Sequence, residues 1–178
     1  PLDSMPNSSP LNVSPLKQYQ ALVSSHQISF DASQQQAVEL LQQLYLILQQ
    51  QKGAYIDRGR SKNNTKTLPI MGIYLWGKVG RGKTFLMDLF ANSLSNQICK
   101  RQHFHHFMQD VHRQLNELAG KPEPLKYIAQ HFSQQYQVLC FDEFFVSEIG
   151  DAMLLGNLLK FMFELNIVVV CTSNCAPD

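Results

Sequence analysis

The chain has 178 residues and a formal net charge of +1. That length suits one domain and buries enough core to need no disulfide or metal staple. Charged residues make up 16%, below the roughly 25% of an average domain, and nineteen glutamines supply the missing polarity. Near-zero charge offers no broad field to nucleic acid or to an acidic membrane. No apolar run reaches the roughly 18 residues of a membrane span.

The chain begins with Pro1, not Met, and stops at Asp178 just after an apolar run. It therefore reads as part of a longer protein. Residues 1–15 are rich in Pro, Ser and Asn and are expected to be disordered. Residues 16–69 form a helical extension and a loop. Asp31 or Ser33 caps a helix whose Ala37, Leu40, Leu41, Leu44, Ile47 and Leu48 recur at helical spacing, ending near Lys52-Gly53. Residues 57–67 (DRGRSKNNTKT) read as a loop with a small basic cluster.

Residues 70–178 carry the main pattern. A strand is expected over Ile70–Trp76, then a glycine-rich loop and a helix from Thr84 to about Ser95. A second strand is placed at His103–Phe107. A helix marked by Val111, Leu115 and Leu118 stops at Gly120, and a short one covers Leu125–Phe132. Val138–Phe141 is a third strand, Ile149–Leu165 a helix and Ile167–Thr172 a fourth strand. Such alternation implies an α/β fold with a parallel sheet between two helix layers. The cysteines Cys99, Cys140, Cys171 and Cys175 form no C-x-x-C pair and read as free thiols of a reducing compartment, with Cys140 and Cys171 buried.

Residues 77–84 read GKVGRGKT, a full G-x-x-x-x-G-K-[ST] phosphate-binding loop (the Walker A pattern). Glycines let backbone N–H groups curl around phosphate oxygens, and the following helix points its positive end at them. The residues assigned to nucleotide binding are Gly77, Lys78, Val79, Gly80, Arg81, Gly82, Lys83, Thr84 and Phe85. Lys83 reaches the β- and γ-phosphates, and Thr84 offers its hydroxyl to Mg²⁺. Asp142 and Glu143 end an apolar strand, where ligands of open α/β sheets bind. Asp142 is assigned to Mg²⁺ through water, and Glu143 to the attacking water as general base. Side-chain alternation along an extended chain separates the two roles. The spacing from Lys83 to Asp142 suits ATPases with another strand between the loop strand and the acidic strand. Asn174, with Thr172 next, is assigned to the γ-phosphate or the lytic water.

These segments resemble the AFG-like ATPases of bacteria and mitochondria. The resemblance rests on PLKQYQALV (15–23), FDASQ (30–34), GIYLWGKVGRGKTFLMDLF (72–90), HFHHFMQDVHRQL (103–115), LCFDEFFVSEIGDAMLLGNLL (139–159) and TSNCAPD (172–178). It implies a P-loop NTPase three-layer sandwich of the AAA+ type that hydrolyses ATP with Mg²⁺ and works as a homo-oligomeric ring. It implies Walker A roles for Lys83 and Thr84, Walker B roles for Asp142 and Glu143, and a sensor role for Asn174. For the bacterial members it implies a cytoplasmic cell-division role on the tubulin-like protein FtsZ, with peripheral membrane attachment through a partner left open. Lys78 stands where the family tends to carry a small residue, and Cys175 where Arg is common. The family continues beyond Asp178 with another strand, an arginine finger and a helical lid. Weak nucleotide binding and poor hydrolysis are therefore expected of these 178 residues alone.

Competing readings are a nucleic-acid-linked ATPase, such as a helicase loader, and a nucleotide-gated scaffold. His103, His105, His106 and His112 invite a metal, but no Cys or carboxylate stands at ligand spacing. On the expected strand, His103 and His105 share a face and His106 opposes them. Trp76 reads as packing, Arg58–Lys66 as a solvated loop, and Phe144, Phe145 and Met153 as core. The segment Phe30–Gln34 is placed near the adenine.

Overall fold

The structure is a computed structural model that describes residues 13–57, 72–76, 82–95 and 98–174, without the side chains of 51–57 and Trp76. The basic loop and Gly77–Arg81 lie outside the described residues, as does Cys175. Ser14 is buried and accepts from Lys17 N–H at 3.4 Å, capping α1 (Pro15–Ser24). Asp31 caps α2 (Ala32–Asp57) by accepting from the N–H groups of Ser33 and Gln34 at 2.8 and 3.1 Å. That helix runs on through Gly53, beyond its expected end.

The remaining elements are β1 (Gly72–Trp76), α3 (Lys83–Ser93), β2 (Cys99–His103), α4 (Phe104–Glu117), α5 (Pro124–Gln135), β3 (Val138–Asp142), α6 (Ile149–Glu164) and β4 (Val168–Ser173). The four strands are parallel and ordered β1-β4-β3-β2. As the spacing implied, a strand stands between the loop strand β1 and the acidic strand β3.

Alternation along the central strands builds both layers. Val138, Cys140, Val168 and Val170 pack with Val38, Leu41, Met87 and Phe90 under α1–α3. Leu139, Phe141, Val169 and Cys171 pack with Phe107, Ile128, Leu158 and Met162 under α4–α6. Burial of strands on both faces explains their continuous apolar runs.

The expected strand at His103–Phe107 is corrected. The strand is Cys99–His103, and a helix starts at Phe104. Phe104, Phe107, Met108 and Val111 are all buried, which is the i, i+3, i+4, i+7 spacing of a helix face. The true strand, CKRQH, lies at a sheet edge and buries only Cys99, so it carries no apolar alternation. His105 and His106 are thus helical and do not alternate across a strand.

Phe107 is fully buried, with its ring centroid 4.4 Å from that of Phe141 and 5.6 Å from that of Phe132. Phe107→Ala is expected to destabilise the chain by about 3–5 kcal/mol, measured as a lower urea midpoint.

Candidate functional site

A cleft of about 380 Å³ opens at the carboxyl edge of the sheet, lined by Gly82, Lys83, Thr84, Phe85, Glu143, Thr172, Ser173 and Asn174. Its size falls in the range of small-molecule sites. Six of the residues assigned from the sequence meet here: Gly82, Lys83, Thr84, Phe85, Glu143 and Asn174. Asp142 does not line the cleft.

Gly82 is the N-cap of α3 in the left-handed conformation, with φ of 74°, and no side chain caps the helix. Leu86 N–H donates to Gly82 O at 2.9 Å, closing the first turn. The start of α3 therefore brings an uncapped helix terminus to the cleft, the arrangement that favours an anion. The side chain of Gln34 covers this glycine. A Cβ at position 82 would stand 2.6 Å from Gln34 Nε2. The segment expected near the adenine thus reaches the edge of the phosphate loop.

The turn after β3 is tied to β4. Phe144 N–H donates to Thr172 O at 2.8 Å, and Ser173 Oγ donates to Phe144 O at 2.8 Å. Glu143 N–H reaches Thr172 Oγ1 at 3.4 Å. Glu143 itself has φ of 55°, so the two acids do not part by strand alternation. β3 ends at Asp142, and a left-handed residue turns the Glu143 carboxylate outward, 78% exposed, with His103 Nδ1 3.7 Å away. Thr172 and Ser173 hold this turn and are buried. The sequence marked Thr172 only as a second choice for the phosphate and Ser173 not at all.

Asp142 faces the other way, toward β2 and α3. Arg101 Nε donates to its Oδ2 at 2.8 Å and Arg101 Nη2 to its Oδ1 at 3.2 Å. Arg101 Nη1 also donates to Asp88 of α3. Burial works against the Arg101 charge, but hydrogen bonds to Asp142 and Asp88 outweigh it and raise the guanidinium above its ordinary range. The sequence reading missed Arg101, because a basic residue in a polar edge strand carries no motif.

Beneath this pair, the Sγ atoms of Cys99 and Cys140 lie 3.6 Å apart. Their shared hydrogen bond and burial raise the Cys140 thiol, and burial pushes Cys171 up to about 12. The same hydrogen bond, with the Arg101 charge, outweighs burial and lowers the Cys99 thiol; all three cysteines are buried and free. Among the described residues no group of three or more His, Cys, Asp or Glu side chains converges as a metal site. Of the two residues assigned to Mg²⁺, Thr84 lines the cleft, whereas both Asp142 oxygens are taken by Arg101 on the side away from it.

One expectation fails on this face. Phe144 packs against the core, but Phe145 is 62% and Met153 69% exposed. The loop 144–148 leads Phe145 outward, and α6 turns Met153 away from the sheet while Leu155 and Leu158 face it.

A family model described as AFG1-like ATPase matches residues 13–178. The chain belongs to the AFG1-like ATPase family. This AFG1-like chain is 54% identical over 117 residues to Cell division protein ZapE of Escherichia coli (strain K12), covering 66% of this chain and 31% of that protein. It is 39% identical over 130 residues to Lactation elevated protein 1 homolog B of Danio rerio, covering 67% of this chain and 26% of that one. It therefore spans less than a third of each of these relatives. AMPPCP-bound DnaA from Aquifex aeolicus superposes with a TM-score of 0.56 at 13% identity, over 84% of this chain and 41% of that chain. DnaI superposes with a TM-score of 0.53 at 16% identity, over 85% and 71% respectively. These likenesses show the fold alone, a parallel sheet between two helix layers. Among the described residues no helix is long and apolar enough to cross a membrane.

Gly82→Ala places a Cβ against Gln34 at a left-handed position and is expected to cost about 1–2 kcal/mol. Thermal denaturation of Gly82→Ala and of Gly82→Ala with Gln34→Ala checks this. The double variant recovers the steric part and keeps the backbone penalty.

Proposed function

We propose that this chain is the nucleotide-binding core of an ATP-hydrolysing AAA+ protein that remodels a protein partner in cell division, with FtsZ as the substrate. The observation that carries the ATPase reading is the single cleft in which the start of α3, Lys83, Thr84, Glu143 and Asn174 meet. Family membership supports the same reading. The division role rests on the similarity to Cell division protein ZapE, and FtsZ is the partner that the family resemblance implies. A homo-oligomeric ring in the cytoplasm, peripheral to the membrane at the division site, belongs to this proposal on the same ground. The net charge of +1 does not favour a nucleic-acid partner.

The chemistry follows from the lining. Phosphate oxygens dock on the first turn of α3, with Lys83 neutralising the β- and γ-phosphates. By its sequence pattern, Gly77–Arg81 belongs to the same proposed phosphate site. Thr84, with Asp142 through water, would hold Mg²⁺, which would offset the charge of the phosphates. Glu143 accepts a proton from the attacking water. That role is supported by its exposed carboxylate, which lines the cleft after a left-handed turn. Asn174, at the tip of β4, hydrogen-bonds the γ-phosphate or that water.

MgATP titrated onto the chain is expected to bind saturably, and Lys83→Ala to lose that binding. Absence of binding in the unaltered chain would overturn the reading for these residues. In the full-length protein, Glu143→Gln is expected to slow ATP turnover by about 10²–10⁴-fold while nucleotide affinity holds. Unchanged turnover in a steady-state phosphate-release assay would refute the general-base role.

A further inference from the structure

The proposed hydrolysis leaves one strong interaction beside the cleft without a role. Arg101 stands between carboxylates from two different elements. Its fork binds both oxygens of Asp142, at the end of β3, and its remaining arm binds Asp88 of α3. Asp88 lies four residues, about one helical turn, after Thr84. The guanidinium thus joins the helix that starts at the phosphate loop to the strand that ends in the acidic pair.

Exposure shows which partner matters more. The Asp142 side chain is 14% exposed and Arg101 26%, whereas Asp88 is 49% exposed. A bidentate arginine–carboxylate pair is among the strongest charge-assisted contacts, and its geometry fixes the carboxylate plane. Lysine, a point charge on a flexible stem, holds one carboxylate at a time in this way. Without the guanidinium, Asp88 and Asp142 would lose the cation that both contact. Two carboxylates converging on one space are the beginning of a divalent-cation site.

We infer that Arg101 is a positioning residue that acts as an internal counter-cation, orienting Asp142 and closing the Asp88–Asp142 space to free divalent metal. A metal ion in the neighbouring cleft would instead draw its oxygens from Thr84 and from nucleotide phosphates, with Asp142 as at most an outer partner. Each Asp142 oxygen accepts one hydrogen bond from Arg101 and retains a lone pair for a metal-bound water. Arg101 therefore aims the acid without abolishing its use. This inference rests on the nucleotide-site reading above for its purpose, but its physical core does not need nucleotide.

The test is Mn²⁺ alone, added without nucleotide and followed by loss of the free-ion paramagnetic resonance signal. The unaltered chain is expected to bind no stoichiometric Mn²⁺. Arg101→Met is expected to bind one Mn²⁺ at least tenfold more tightly, a conservative reading of what removing a charge at contact distance does. Adding Asp142→Asn to Arg101→Met should remove the gained site. Arg101→Lys, which keeps the charge but loses the fork, should fall between the unaltered chain and Arg101→Met. If circular dichroism shows Arg101→Met unfolded, Arg101→Lys decides alone, and affinity equal to the unaltered chain overturns the inference. Stoichiometric Mn²⁺ on the unaltered chain, or no gain in a folded Arg101→Met, overturns it as well. A parallel MgATP titration of the unaltered chain separates failure of this inference from failure of the nucleotide site.

Discussion

The site depends on one constraint, the parallel register of β1, β4 and β3. Because these strands run the same way and pair in the order β1-β4-β3, their carboxyl ends fall on one edge. Everything assigned to nucleotide leaves the chain at that edge: the loop into α3, Asp142 and Glu143, and Thr172 to Asn174. The apolar residues that hold the strands between two helix layers are therefore also what holds the cleft open. Loss of either layer would move the polar residues apart without touching any of them.

Charge at this edge is arranged in two compartments. On the cleft side Lys83, Thr84 and Glu143 line the cavity. On the α3 side Arg101 binds Asp142 and Asp88. The left-handed residue at 143 makes this division possible. It lets adjacent acids point to different sides of the acidic strand, one half-buried and paired, the other exposed beside the cleft. The hydrogen bonds from Phe144 N–H to Thr172 O, and from the Ser173 hydroxyl to Phe144 O, hold that turn against β4. The tip that carries Asn174 and the turn that carries Glu143 are thus one mechanical unit.

Much of this was legible in the amino-acid sequence. The apolar strands of the parallel sheet read as such where both faces were covered, as in Val138–Asp142 and Val168–Ser173. The glycine-rich loop pointed to the cleft because its pattern, set between an apolar strand and an apolar helix, marks a phosphate-binding turn. The edge strand Cys99–His103 did not read, since one neighbour and a polar composition leave no alternation to detect. Its neighbour His103–Phe107 was mistaken for a strand because five residues with three histidines and two phenylalanines fit either period. Only the burial of Met108 and Val111 further on settles the helix. Phe145 and Met153 misled for a different reason, because apolar character states a preference for burial and not its fulfilment. Arg101 was invisible because its partners lie 13 and 41 residues away in sequence, and long-range ion pairs leave no local pattern.

The central claim is that the cleft at the start of α3 is a nucleotide site. A crystal structure of the chain with Mg²⁺ and a non-hydrolysable ATP analogue tests it most directly. The account predicts phosphates on the first turn of α3, with Lys83 and Thr84 in contact and Glu143 facing the γ-phosphate. An analogue bound elsewhere, or phosphates that leave Lys83 and Thr84 untouched, would contradict it.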